Sequence, residues 1–297
     1  MELKTMHETT HPALMDEKPQ RNQPSLLRIL IPRRWPVHLG LLLTCLIMGF
    51  PLIYAIVVST QTNSDVYRYS LTFGDNLARN WDTVFNQRTL GLYMWNTMAM
   101  AVGISVGKTI FSLLAGLAFV YFRFPGKWIV FGFVLLTLMM PTEVIFIGLF
   151  RFVSDIEMST FLKLIVPFLA SATGVFLFRQ HFASIPHELV EAAQLDGANP
   201  LQFLVRVLIP MSWNTIGALV VIQFLFAWNM YLWPRMIITE QETQVVQVGM
   251  RSLVSVDTGI SYGPLMLAAV VTSIPPVLIF VLLQKQFMSG FALTRDK

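Results

Sequence analysis

The 297-residue chain is 55% apolar and only 13% charged, about half the charged share of a soluble domain, and its mean hydropathy is +0.60, so water is not its main solvent. Its net charge of +4 does not mark a nucleic-acid partner, because the basic residues gather in no aromatic-flanked patch. Cys45 stands alone inside an apolar run, which offers no disulfide framework and no thiolate metal site within the chain.

Residues 1–36 are polar, punctuated by prolines, and carry Lys4, Lys18, Arg21, Arg28, Arg33 and Arg34. They lack the short early apolar stretch and small-residue cleavage site of a secretory signal, and read as a cytoplasmic tail, disordered or lying on the membrane. Six segments then approach or exceed the roughly 20 apolar residues needed to cross a bilayer. They cover about 37–58, 94–122, 129–150, 161–178, 215–238 and 264–283. The pattern predicts an all-α, polytopic helix bundle over 37–284 and a short cytoplasmic tail over 285–297. Pro51, Pro141, Pro167, Pro234, Pro275 and Pro276 fall within these spans. Such breakers persist where neighbouring helices or water satisfy the freed carbonyls, which favours a bundle around a cavity.

Orientation follows from Lys and Arg, which concentrate in cytoplasmic loops. One side receives the N-terminal tail, Arg123, Lys127, Arg179, Arg206, Lys285, Arg295 and Lys297; the other receives Arg68, Arg79, Arg88, Arg151, Lys163, Arg235 and Arg251. The bias places both termini and the connection 179–214 in the cytoplasm.

Within that connection, Ile185 to Pro210 reads as two short helices. Pro186 suits the first turn of one, and Gly197 suits a left-handed stop. Asn199 and Pro200 then read as a cap and first-turn proline of a second helix that ends near Pro210. Leu189, Ala192, Ala193 and Leu195 form a small-residue apolar stripe, flanked by Glu188, Glu191 and Asp196. A compact helix pair with such a face reads as a docking element.

Glu191, Ala192, Ala193, Gly197 and Pro210, with Val207 and Ile209 between them, resemble the signature cytoplasmic loop of bacterial ABC importer permeases. A chance match in a chain of this length is on the order of 10⁻⁵ to 10⁻⁴. Val207 and Ile209 are conservative departures from the usual isoleucine and leucine. The resemblance runs from about Leu39 to the C-terminus and is closest to the carbohydrate-uptake subfamily. FVYFRFPGKW (Phe119 to Trp128), LASATGVFLFRQHF (Leu169 to Phe182) and WNMYLWPRMIIT (Trp228 to Thr239) are similar to its glycerol-phosphate branch.

The resemblance implies the type I ABC importer fold and a non-catalytic subunit of the bacterial inner membrane. Its implied partners are a homologous second permease, a homodimeric ATP-binding subunit, an extracytoplasmic solute-binding protein and membrane lipid. ATP and Mg would sit on the ATPase, with no cofactor on this chain. Glu191, Ala192, Ala193, Asp196, Gly197 and Pro210 become the ATPase-coupling residues. The implied cargo is sn-glycerol-3-phosphate or a glycerophosphodiester; the alternative is a neutral oligosaccharide, and ion-coupled secondary transport is a distant one.

Gly103 to Thr109 imitates a phosphate-binding loop, but Val102 stands where that loop needs a glycine, and the string lies in an apolar span. His187, Glu188 and Glu191 open like a zinc-protease helix, yet Glu191 replaces the second histidine, so neither a metal site nor a catalytic constellation is expected. Lys108 and Glu143 fall near mid-membrane, where a charge costs about 2.5–3.5 kcal/mol. Each reads either as a pathway residue or as half of an interhelical ion pair. Gln223, Trp228, Asn229 and Tyr231, with Trp233, precede Pro234. They read either as an interfacial aromatic belt or as a cargo-facing surface.

Overall fold

The computed structural model describes residues 35–255 and 259–291, except the side chains at 143, 252, 255 and 291. The basic residues of the N-terminal tail, Arg295 and Lys297 therefore lie outside the described residues. The helices used below are α1 Trp35–Val58, α2 Leu90–Tyr121, α3 Lys127–Thr137, α4 Thr142–Ser154, α5 Thr160–Ile165 and α6 Ala172–Ala183. They continue as α7 His187–Leu195, α8 Pro200–Met211, α9 Trp213–Trp228, α10 Leu232–Ile237 and α11 Tyr262–Phe291. Contacts divide the chain into Met1–Phe50 and Pro51–Lys297. The first unit contributes the start of α1, where Leu41, Ile47 and Met48 are exposed; the second holds every other element.

By length and composition, α1, α2 and α11 are each sufficient to cross a bilayer, and the bent pairs α5–α6 and α8–α9 qualify when taken together. Three of the expected spans are not single helices. The one placed at 129–150 is α3 and α4, parted at Leu138–Pro141: Pro141 is extended at the start of α4 and a proline also pushes its predecessor out of the helical region. The one placed at 161–178 bends by 42° between α5 and α6. Pro167 donates no hydrogen bond, a 3₁₀ turn over Val166–Phe168 follows α5, and the Ser171 hydroxyl caps α6 by accepting from the Gly174 N–H. The one placed at 215–238 stops at Trp228, before Pro234, and resumes as α10. By contrast, α11 runs unbroken through Pro275 and Pro276.

The core of the second unit is built from α2, α6, α9 and α11, with α9 against both α2 and α11 and α2 against α6. Lipid tails are as apolar as leucine, so membrane helices associate through close packing at small residues rather than by escape from water. Gly174 on α6 shows this: a β-carbon there would strike the Ser112 hydroxyl of α2. One side-chain cluster centres on Met100, Ile104, Phe168, Phe224, Trp228 and Trp233. A second, around Leu117, Phe178, Phe182, Phe203 and Leu208, joins the end of α2 to α8.

The connection 59–89 is a hydrogen-bonded strap. The Gln61 amide donates to the carbonyls of Ser70 and Thr72 at 2.9 and 2.7 Å, and the Asn80 amide donates to those of Ser59 and Gln61 at 2.9 and 3.0 Å. Asn63 ties the strap to the start of α11, donating to the Ile260 carbonyl and accepting from the Tyr262 N–H, both at 2.9 Å. A short helix, Asn63–Tyr67, opens with a capping box in which Thr62 and Asp65 bond each other's backbone. The Thr62 hydroxyl and N–H together hold the Asp65 carboxyl below the usual carboxylate range. Strands β1 Val254–Ser255 and β2 Gly259–Ile260 pair antiparallel just before α11.

Candidate functional site

In the loop between α6 and α9, the joint between α7 and α8 is held by cap chemistry. Pro186 caps α7 with an extended backbone, one residue earlier than its expected place in the first turn. At the other end Gly197 has φ +72°, its N–H donating to the Gln194 carbonyl at 3.0 Å, while Ala198 N–H donates to Ala193 at 2.9 Å. That pair of bonds is a Schellman motif, which requires a left-handed residue at the position of Gly197. Asn199 and Gln202 then form a reciprocal capping box at 2.8 and 2.9 Å, with Pro200 at the first helical position of α8. Pro210 lies in the last turn of α8, and the chain bends by 82° into α9.

The faces of α7 differ from the expected stripe. Val190 is buried and Ala193 half-buried, three residues apart on one face, against the cluster containing Phe203 and Phe182. Leu189, Ala192 and Leu195 point outward with Glu188, Glu191 and Asp196, and Leu195 is 90% exposed. The outward surface is therefore mixed leucine, alanine and carboxylate, while the inward face anchors α7. A cavity of about 140 Å³ lies behind it, lined by Leu117, Tyr121, Val190, Ala193 and Phe203. The Tyr121 hydroxyl donates to the Phe182 carbonyl at 3.2 Å, linking the end of α2 to this loop.

Within the bundle, Lys108 of α2 is 7% exposed. Its ammonium donates to Gln223 Oε1 of α9 at 2.9 Å and stands 4.3 Å from the centre of the Phe226 ring. Gln223 Nε2 in turn donates to the Ser171 hydroxyl at 3.1 Å. Lys108, Gln223 and Ser171 thus join α2, α9 and the cap of α6 by a continuous polar chain. Among the described residues Lys108 forms no ion pair. Glu143 lies in the first turn of α4, and its side chain is outside the described residues.

The other expected pathway residues separate into two groups. Trp228 is 2% exposed and stacks on Phe224, so its ring packs inside the bundle. Asn229 and Tyr231 stand at the break between α9 and α10 and line a cavity of about 570 Å³ with Thr142, Phe146, Phe226 and Leu232. Asn229 Nδ2 donates to the Leu225 carbonyl at 2.8 Å, leaving its amide oxygen available. Phe226 joins the two parts of the site, since its ring carries Lys108 and also lines the cavity. Sequence reading missed Ser171 and Phe226; the one signal for Ser171 was a capping-type residue four positions after Pro167, and Phe226 gave none among 23 phenylalanines.

Residues 108–291 match the family described as "Binding-protein-dependent transport system inner membrane component". The chain belongs to this family. The permease is 37% identical to the sn-glycerol-3-phosphate transport system permease protein UgpE of Brucella melitensis over 268 residues, 86% of this chain and 95% of that one. The Agrobacterium fabrum protein of the same name is 35% identical over the same shares, and that of Salmonella typhi 36% identical over 85% and 94%. Its fold is similar to a chain in the crystal structure of a bacterial ABC transporter involved in the import of the acidic polysaccharide alginate. That likeness has a TM-score of 0.74 at 21% identity, and covers 89% of this chain and 99% of the other. The permease is therefore a multi-pass inner-membrane component of an ABC importer.

Proposed function

We propose that the permease admits a small organic phosphate, sn-glycerol-3-phosphate or a glycerophosphodiester, into the cell. The observation that carries this reading is Lys108, a buried ammonium held by a neutral amide and an aromatic face with no carboxylate partner among the described residues. An uncompensated cation in a membrane helix costs about 2.5–3.5 kcal/mol and marks a transport pathway more often than a packing site. An anionic cargo reaching the Phe226 side of the cavity would supply the missing charge. The names of the UgpE relatives, which cover nearly the whole chain, point to the same cargo.

Energy comes from a partner. The outward face of α7, with Glu191, Ala192, Asp196 and the Gly197 stop, docks on a homodimeric ATPase that holds ATP and Mg, and this chain is non-catalytic. A second permease completes the pathway, and an extracytoplasmic binding protein delivers the cargo. Six spans with both termini cytoplasmic fit this arrangement, the third, fourth and fifth being built from the broken pairs α3–α4, α5–α6 and α9–α10. Closure of the ATPase would push on α7, and the inward anchors Val190 and Phe203 would pass that motion to the end of α2.

Uptake into proteoliposomes carrying the complete importer tests this. Labelled sn-glycerol-3-phosphate is expected to accumulate only with ATP inside and binding protein outside, with competition from glycerophosphodiesters. Accumulation of a neutral oligosaccharide, with none of the phosphate, would overturn the cargo assignment and leave the permease assignment standing.

A further inference from the structure

We infer that Arg88, Arg235 and Arg251 form a second anion site, at the opposite end of α2 from the α7–α8 loop, which receives the phosphate of the cargo before it reaches Lys108. The inference rests on the phosphorylated-cargo reading above. The three arginines come from separate segments and line one cavity of about 530 Å³. Arg88 follows the π turn Thr83–Gln87, one residue before the Thr89 cap of α2, Arg235 lies in the last turn of α10, and Arg251 sits in the 3₁₀ turn Met250–Leu253. Among the described residues that line this cavity, none is acidic. None of the three arginines forms an ion pair among the described residues. All three are exposed and accessible to an anion entering the cavity, and the planar guanidinium fork matches phosphate oxygens in pairs. Gln87, Thr239 and Gln244 line the same cavity and provide neutral donors and acceptors suited to glycerol hydroxyls. The volume lies within the range of small-molecule sites.

Two further observations connect the cavity to the pathway. The Arg251 guanidinium donates to the Tyr231 hydroxyl at 3.2 Å, and Tyr231 also lines the neighbouring cavity that holds Asn229 and Phe226. A phosphate leaving Arg251 would therefore pass Tyr231 and Asn229 before meeting the cation above the Phe226 ring. Thr89, adjacent to Arg88, has φ +52°. A β-branched residue in that region is strained and persists only where its surroundings fix it, so the direction in which Arg88 leaves the strap is set by the fold.

The test uses the complete importer in proteoliposomes, titrated to saturation with binding protein loaded with sn-glycerol-3-phosphate. It compares wild type with the triple variant Arg88→Gln, Arg235→Gln, Arg251→Gln and with the charge-keeping triple lysine variant. ATPase recovered with each variant normalises the rates to assembled complex. The glutamine variant is expected to lower the maximal uptake rate about tenfold or more, with the KM for loaded binding protein unchanged, and the lysine variant to retain most of the rate. A raised KM for binding protein at an unchanged maximal rate would overturn the inference, because the arginines would then be docking that protein. Unchanged rate and KM, with active wild type, would overturn it equally. Absence of wild-type phosphate uptake would instead overturn the cargo reading on which the inference stands.

Discussion

Lys108 shows what a single residue contributes when its charge meets no counter-charge among the described residues. Its hydrogen bond to Gln223 and its place over Phe226 satisfy one donor and one face of the ammonium, and neither contact neutralises it. Lys108→Gln removes the charge and keeps a donor near Gln223 Oε1. Folding yield should stay close to wild type, while uptake of sn-glycerol-3-phosphate falls about tenfold, the loss of one charge-assisted contact. Wild-type uptake by this variant would make Lys108 a packing residue. The sequence announced Lys108 because a lysine inside an apolar run is costly wherever it points. It could not give the partners, since Gln223 is 115 positions from Lys108, and Ser171 another 52 from Gln223, in a chain of near-uniform hydropathy. The same uniformity concealed that Trp228 packs inward while Tyr231, three residues later, reaches the cavity.

At the scale of elements, the α7–α8 loop was the most legible part of the chain, because its stops are written in residue chemistry. Gly197, Asn199 and Pro200 each have one favoured role at a helix end, and each fills it. Which face of α7 turns inward was less legible: Ala193 was grouped with Leu189, Ala192 and Leu195 in one docking stripe, but α8 places Phe203 beneath Val190 and Ala193. Nothing lies within 4 Å of a β-carbon built on Gly197, so only its positive φ resists substitution. Gly197→Ala is therefore expected to cost about 1–2 kcal/mol of local strain, to lower the ATPase recovered with the permease and to reduce ATP-driven uptake. Thermal stability of the membrane bundle should change little. Intact ATPase recovery and uptake would show that the α7 stop is dispensable for coupling. Among the membrane helices, prolines proved an uneven guide. Pro141 and Pro167 mark breaks, whereas α11 carries Pro275 and Pro276 without one and α9 ends six residues before Pro234.

For the molecule as a whole, composition alone established the solvent, and the apolar runs established a helical bundle. The hydrogen-bonded strap over 59–89 was not legible, because its order depends on Gln61 and Asn80 bonding backbone carbonyls up to 21 positions away. The structure joins a capped helix pair to the end of α2 and places two cavities, linked by Tyr231, near its start. Under the proposed function, phosphorylated cargo at one end governs ATP hydrolysis through the other. The most direct measurement is the ATPase rate of the reconstituted importer with its binding protein, offered sn-glycerol-3-phosphate or a neutral oligosaccharide. Stimulation by the phosphate is expected, and is reduced when Gly197→Ala weakens the α7 stop; stimulation by the neutral sugar alone would contradict the link between phosphorylated cargo and hydrolysis.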